Sequence, residues 1–149
     1  MYFLGDEEKI VAVDVTSNYP ESAKSWPSIG YVRNLSTEGI LSLSPTLVIG
    51  EDDMGPAEVI AQIKNTGIDI ISVEEQHTSH GILAKIRCVA NVLGSQEKAE
   101  SLIQEQLLPV IQRLETQAEQ VERRRQSVLF ILSMNAGSPI VAGNNVSAN

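Results

Sequence analysis

Apolar residues follow two rhythms along the 149-residue chain. Short runs rich in β-branched residues predict strands at Ile10–Val15, Thr46–Ile49, Ile68–Val73 and Val128–Leu132. The third run is apolar at nearly every position, which predicts a strand covered on both faces. Elsewhere the spacing is three and four. Val59, Ile60 and Ile63 predict a helix opened by Pro56 and ended by Asn65-Thr66-Gly67. Ile82, Leu83, Ile86, Val89, Ala90 and Leu93 predict a second, capped by Thr78 or Ser79 and stopped at Gly94. The longest predicted helix runs from Ser95 to about Arg125. Leu102, Ile103, Leu107, Val110, Ile111, Leu114, Ala118 and Val121 form its single buried stripe. It would span roughly 45 Å at 1.5 Å per residue, with a kink at Pro109. A coiled coil is the competing reading, but Pro109 interrupts the stripe. Tyr2-Phe3-Leu4-Gly5 reads as a helix tail ending at a glycine. Thr16–Pro27 reads as a loop with one helical turn over Glu21–Ser25. Gly137-Ser138-Pro139 reads as a turn before Ile140–Ala142.

The stretch Ser28–Gly50 organises the rest. A turn delivers Tyr31 and, two residues on, Arg33. Ser36-Thr37-Glu38 opens a short helix that Pro45 closes, and the strand beyond ends at Gly50. This arrangement would hold Tyr31 at the carboxyl-end rim of a parallel sheet, where open α/β folds bind ligands. A phenolate is a hard oxygen donor suited to ferric iron, and tyrosine ligation of haem is established chemistry. A guanidinium fork beside it matches a carboxylate. Read from the residues alone, a Gly-Tyr turn is more often structural than ligating. Tyr19, in the preceding loop, is the competing ligand, or else pocket lining.

Charge narrows the partners. Eleven Lys and Arg against nineteen Asp and Glu leave a net charge of −8, which argues against nucleic acid. Arg123-Arg124-Arg125 reads as the solvated, dipole-compensating end of the long helix. The single Cys88 excludes an internal disulfide and reads as a packed thiol. No run approaches the ~18 apolar residues of a membrane span. Met1–Gly5 is too short for a signal peptide, so export, if it occurs, is expected to be encoded upstream.

Other candidate chemistry is thinner. Glu51-Asp52-Asp53 could bind a divalent cation, or serve with Asp14 as a phosphoacceptor site. The plainer reading is a solvated loop. His77 and His80 are three apart with no third ligand nearby, so exposed or capping roles outweigh a zinc site. Trp26 could stack on a planar ligand, or pack under its loop beside Pro27 as large rings commonly do. There is no glycine-rich phosphate loop and no serine with histidine-acid company, so an enzyme is not expected.

Four short segments together resemble the haem-binding proteins that serve ABC importers of haemin. They are Thr16-Ser17-Asn18-Tyr19-Pro20, Gly30-Tyr31-Val32-Arg33-Asn34-Leu35-Ser36, Glu38-Gly39-Ile40-Leu41-Ser42-Leu43 and Gly55-Pro56. The resemblance implies an α/β fold of the class III periplasmic binding protein type. Its lobe would be three-layered and Rossmann-like, with a parallel central sheet followed by a long interlobe helix. Residues 1–94 would be the ligand-binding lobe, lacking a first βα unit. Residues 95–126 would be the interlobe helix and 127–149 the first strands of a second lobe. Tyr31 matches the position of the family's iron ligand, with Arg33 near a propionate. Glu58 matches a place where acidic side chains meet permease arginines, although a first-turn acid complementing the helix dipole is an equal reading. The implied function is periplasmic or lipid-anchored capture of haem for a membrane permease. Two alternatives stand beside it: a lobe for another iron or corrin ligand, and a cytoplasmic signalling or enzyme domain using Asp14 and Asp52 or Asp53. A lobe alone would expose a cleft wall, so a homodimer or strand exchange is also expected.

Overall fold

The computed structural model describes residues 1–122, 131–135 and 138–141. The chain opens with a 3₁₀ turn at Tyr2–Leu4, ended by Gly5 at φ 63°, as the glycine-terminated apolar start predicts. A second short turn at Glu7–Lys9 leads into residues 10–15. This segment is not the buried strand its composition predicts. Among the described residues it pairs along one side, with Pro27–Gly30: Val13 N–H to the Pro27 carbonyl, Ile29 N–H to the Val13 carbonyl and Val15 N–H to the Gly30 carbonyl, each at 2.9 Å. The result is one parallel bridge, Val13 to Ser28, and Val11 and Val15 stay about half exposed. β-Propensity reports fit to a covered surface, and here one flank has none.

A single helical turn follows at Glu21–Ser25, as expected. Trp26 then donates its indole N–H to the Tyr2 hydroxyl at 2.8 Å, part-buried under the loop. Helix α1 spans Thr37–Leu41, and its N-cap Ser36 accepts from Gly39 N–H. Strand β1 (Leu47–Gly50) crosses through α2 (Ala57–Asn65) to β2 (Asp69–Ser72). The two strands pair in parallel, from Leu47 with Asp69 to Gly50 with Ser72. Strand β2 is not covered on both faces. Among the described residues its one strand neighbour is β1; Asp69 and Ser72 are exposed, and full burial is reached only at Val73.

Two apolar clusters hold these elements. Leu35, Ile40 and Ile63 form one, with Val48 and Ile70 of the strands and Val59 and Ile60 of α2 packed against them. The other joins Leu4, Ala90 and Ala99, and so ties the amino-terminal turn to α3 (Ser79–Leu93) and α4 (Gln96–Leu102). Thr78 caps α3 by accepting from Gly81 N–H, and Gly94 ends it at φ 74°. Ile82, which the periodicity places on the buried face of α3, is half exposed. Arg87 braces α3 to α4 through two bonds to Glu100, at 2.6 and 3.0 Å. Asp6 is buried at the same junction. It accepts from the Ser95 hydroxyl at 2.6 Å and pairs with Lys9 at 2.9 Å. Those two bonds, Ser95 first, outweigh burial and hold its carboxyl below the ordinary value.

The long helix is continuous in sequence but not uniform. Helix α4 passes into a π turn at Ile103–Leu107, then α5 (Leu108–Glu122). The Leu108 N–H reaches back five residues to the Ile103 carbonyl. Pro109 explains the wide turn: it has no N–H to give the preceding turn, and its ring would strike the carbonyl four residues back. The predicted stripe is buried at Ile103, but Val110 and Leu114 are exposed. Strands β3 (Ile131–Asn135) and β4 (Ser138–Val141) form an antiparallel pair with a register irregularity. Ser138 and Pro139, expected in a turn, are strand residues. Arg123–Arg125 and residues 128–130 of the predicted fourth strand lie outside the described residues.

Candidate ligand-binding face

Tyr31 stands on a turn fixed from both sides. Gly30 adopts φ 86°, a left-handed conformation that suits glycine, while its carbonyl accepts from Val15 N–H. On the other side, Gly55 N–H donates to the Val32 carbonyl at 3.0 Å, and Leu35 N–H donates to the Gly55 carbonyl at 2.9 Å. Leu35 itself is buried in the apolar cluster below. The phenol is therefore delivered by anchored backbone, and its ring is about half exposed. Because Gly55 follows β1, the turn sits where the loop after that strand leaves the sheet, as the sequence predicts.

Arg33 already has a partner. Its Nε and one Nη each lie 3.0 Å from the same Asp53 carboxylate oxygen. That bond, and then the nearby Tyr31 charge, raise the guanidinium above its ordinary value. Tyr19 is 90% exposed. It lines a cleft of about 540 Å³ with Tyr2, Ile10, Val13, Val48, Ile49 and Asp53. Tyr31 is not among the residues lining that cleft, but Ile29 and Val32 on either side of it are, as is Asp53.

The acidic run 51–53 is a largely exposed loop, as expected, and each of its acids has a partner. Glu51 pairs with Lys85 of α3, Asp52 accepts from the Ser72 hydroxyl, and Asp53 holds Arg33. Lys85 also lies 3.8 Å from Glu75. Asp14 is likewise engaged. Burial would raise its carboxyl, but bonds from the side chains and backbone of Ser17 and Thr16 outweigh burial and lower it. No group of three His, Cys, Asp or Glu among the described residues could hold a metal ion. His77 lies 3.9 Å from Glu75 and His80 is exposed. Glu58 is exposed in the first turn of α2. The sequence shows the acidic run but not its cations: Asp53 is 20 residues from Arg33, and Glu51 is 34 from Lys85.

The sequence model of the family described as "Periplasmic binding protein" matches residues 1–149. The chain belongs to the periplasmic binding protein family. A periplasmic binding protein of known structure, the periplasmic haem-binding protein from Pseudomonas aeruginosa, superposes with a TM-score of 0.80 at 31% identity. The match covers 97% of this chain and 52% of that one. An uncharacterised ABC transporter substrate-binding lipoprotein of Bacillus subtilis is 24% identical, over 87% of this chain and 41% of its own length. The vitamin B12-binding protein of Pectobacterium carotovorum is 29% identical, over 66% of this chain and 36% of its own. The chain thus spans from a little over a third to about half the length of these relatives. Its fold is the class III form, a parallel sheet with flanking helices. No helix among the described residues is long and apolar enough to cross a membrane.

Proposed function

We propose that the chain is the amino-terminal lobe of the substrate-binding component of an ABC importer, and that its cargo is haem. Residues 1–94 are read as the lobe, 95–126 as the interlobe helix and 127–149 as the start of the second lobe. The observation that carries the reading is Tyr31: half exposed, on backbone anchored at Gly30 and Val32, two residues before Arg33. Its phenolate oxygen ligates the ferric iron, a hard oxygen donor on a hard cation. Arg33 faces a propionate once Asp53 yields it. The protein is a carrier and not an enzyme. It works in the periplasm or tethered outside the membrane, and presents Glu58 to an arginine of the permease. The relatives offer no support for a homodimer.

A second reading rests on the vitamin B12-binding relative. The same face would then take a corrin ligand and leave Tyr31 without iron. Visible absorption after adding haemin separates the two. In the haem reading a longer form carrying both lobes gives a high-spin, tyrosinate-type ferric spectrum, and the lobe alone binds haem weakly. Tyr31→Phe abolishes that spectrum and weakens binding strongly, while Tyr19→Phe does much less. A Tyr31→Phe protein that keeps spectrum and affinity overturns the assignment, and one that binds cobalamin but not haemin favours the corrin reading.

A further inference from the structure

Glu51 and Asp53 stand two residues apart on the loop leaving β1, and each occupies a cation. Glu51 is on Lys85, and Asp53 is on Arg33. Between them Asp52 turns the other way, onto the Ser72 hydroxyl. The loop's backbone is held at Gly55 by the turn that carries Tyr31. Both ion pairs are partly exposed, with each side chain between about 36 and 63% accessible, so either can exchange partners in water. We infer that the acidic loop is a built-in competitor for carboxylates, in which Asp53 stands in for an acid group of the cargo on Arg33 and is displaced by it. This rests on the proposal that the cargo binds at the Tyr31 face.

The chemistry is partner exchange without covalent change. A carboxylate arriving at Arg33 replaces one charge-assisted bond with another. The protein does not gain a new ion pair, so affinity for an acidic ligand is moderated. When the cargo leaves, Asp53 takes back the guanidinium, which favours release. A neutral ligand leaves both pairs in place.

The test titrates the chain with haemin, haemin dimethyl ester and iron-free protoporphyrin, comparing wild type with Asp53→Asn, Glu51→Gln and Asp52→Asn. Asp53→Asn is expected to tighten both free acids about two- to fivefold, the range open to an exposed ion pair, and to leave the diester unchanged. Glu51→Gln should have little effect, because Glu75 lies 3.8 Å from the same lysine. Asp52→Asn removes the same charge from the same loop without freeing a cation, so it should leave acid binding unchanged. Equal tightening by Asp52→Asn would reduce the effect to net charge and overturn the inference. So would tightening of the diester, or no change with Asp53→Asn. If haemin binds no better than the iron-free acid, the iron-ligand reading fails, while an acid-specific response to Asp53→Asn keeps the competitor. No binding of any of the three porphyrins by any protein overturns both.

Discussion

Ile63 is fully buried at the centre of the cluster beneath the Tyr31 turn. Shortening it tests whether that turn rests on a packed core. Leu35 and Ile40 meet it from one side, Val48 and Ile70 from the sheet, and Val59 and Ile60 from its own helix. These neighbours belong to three kinds of element tied by separate hydrogen bonds, so they cannot all move in to fill a void. Ile63→Val removes one methylene's worth of packing and should cost ~1 kcal/mol; Ile63→Ala should cost ~3–4 kcal/mol, the middle of the usual range. Against a total of roughly 5–15 kcal/mol for a domain, the alanine variant should remain folded but lose a large part of its margin. Urea unfolding followed by far-UV circular dichroism measures both, with the slope checked for constancy. A loss under ~1 kcal/mol for Ile63→Ala would show that the cluster is loosely packed. Equal losses for the two variants would show that the cost does not come from cavity volume.

Three further outcomes are expected. Asp6 has a folded-state value below its ordinary 3.8, so its contribution is present above about pH 4 and is lost as pH falls through the folded value; Asp6→Asn should flatten the acid side of a melting-temperature profile, and an unchanged slope there would refute the pairing with Ser95 and Lys9. Thr78→Ala removes the acceptor for Gly81 N–H and should destabilise the chain by ~1 kcal/mol, with Thr78→Ser restoring most of it in the same unfolding assay. In a longer form carrying both lobes, Glu58→Ala should lower transport through the permease and leave haem affinity intact; unchanged uptake by reconstituted vesicles would remove the docking role.

Local chemistry made much of the fold legible. Ser36 and Thr78 cap the helices their positions suggest, Gly94 ends α3, and Thr46–Gly50 yields a strand of nearly the predicted bounds. What the sequence misreads depends on neighbours it does not contain. Ile10–Val15 has the composition of an inner strand, but among the described residues only one flank pairs with it. Ile68–Val73 is apolar enough for two covered faces, yet its ends are exposed. At the candidate site the position of Tyr31 follows from glycine geometry and a helix cap within a few residues. The state of Arg33 does not, because Asp53 reaches it through the loop after β1, across 20 residues of chain. The acidic run was visible as a run, but which cation each acid holds is a property of the tertiary fold.

The wide turn before Pro109 also acts as a phase shifter. A π turn holds one residue more than the α-helical turn it replaces, and each residue of an α-helix advances the azimuth by about 100°. Everything from Leu108 onward is therefore dialled around the common axis relative to α4. A period of 3.6 counted straight through Ile103–Leu107 assigns the downstream side chains to the wrong longitude, although residues 112–120 are exposed all round the helix. Deleting one residue within Ile103–Leu107 would reset that angle and swing another row of α5 into the position Val110 and Leu114 occupy.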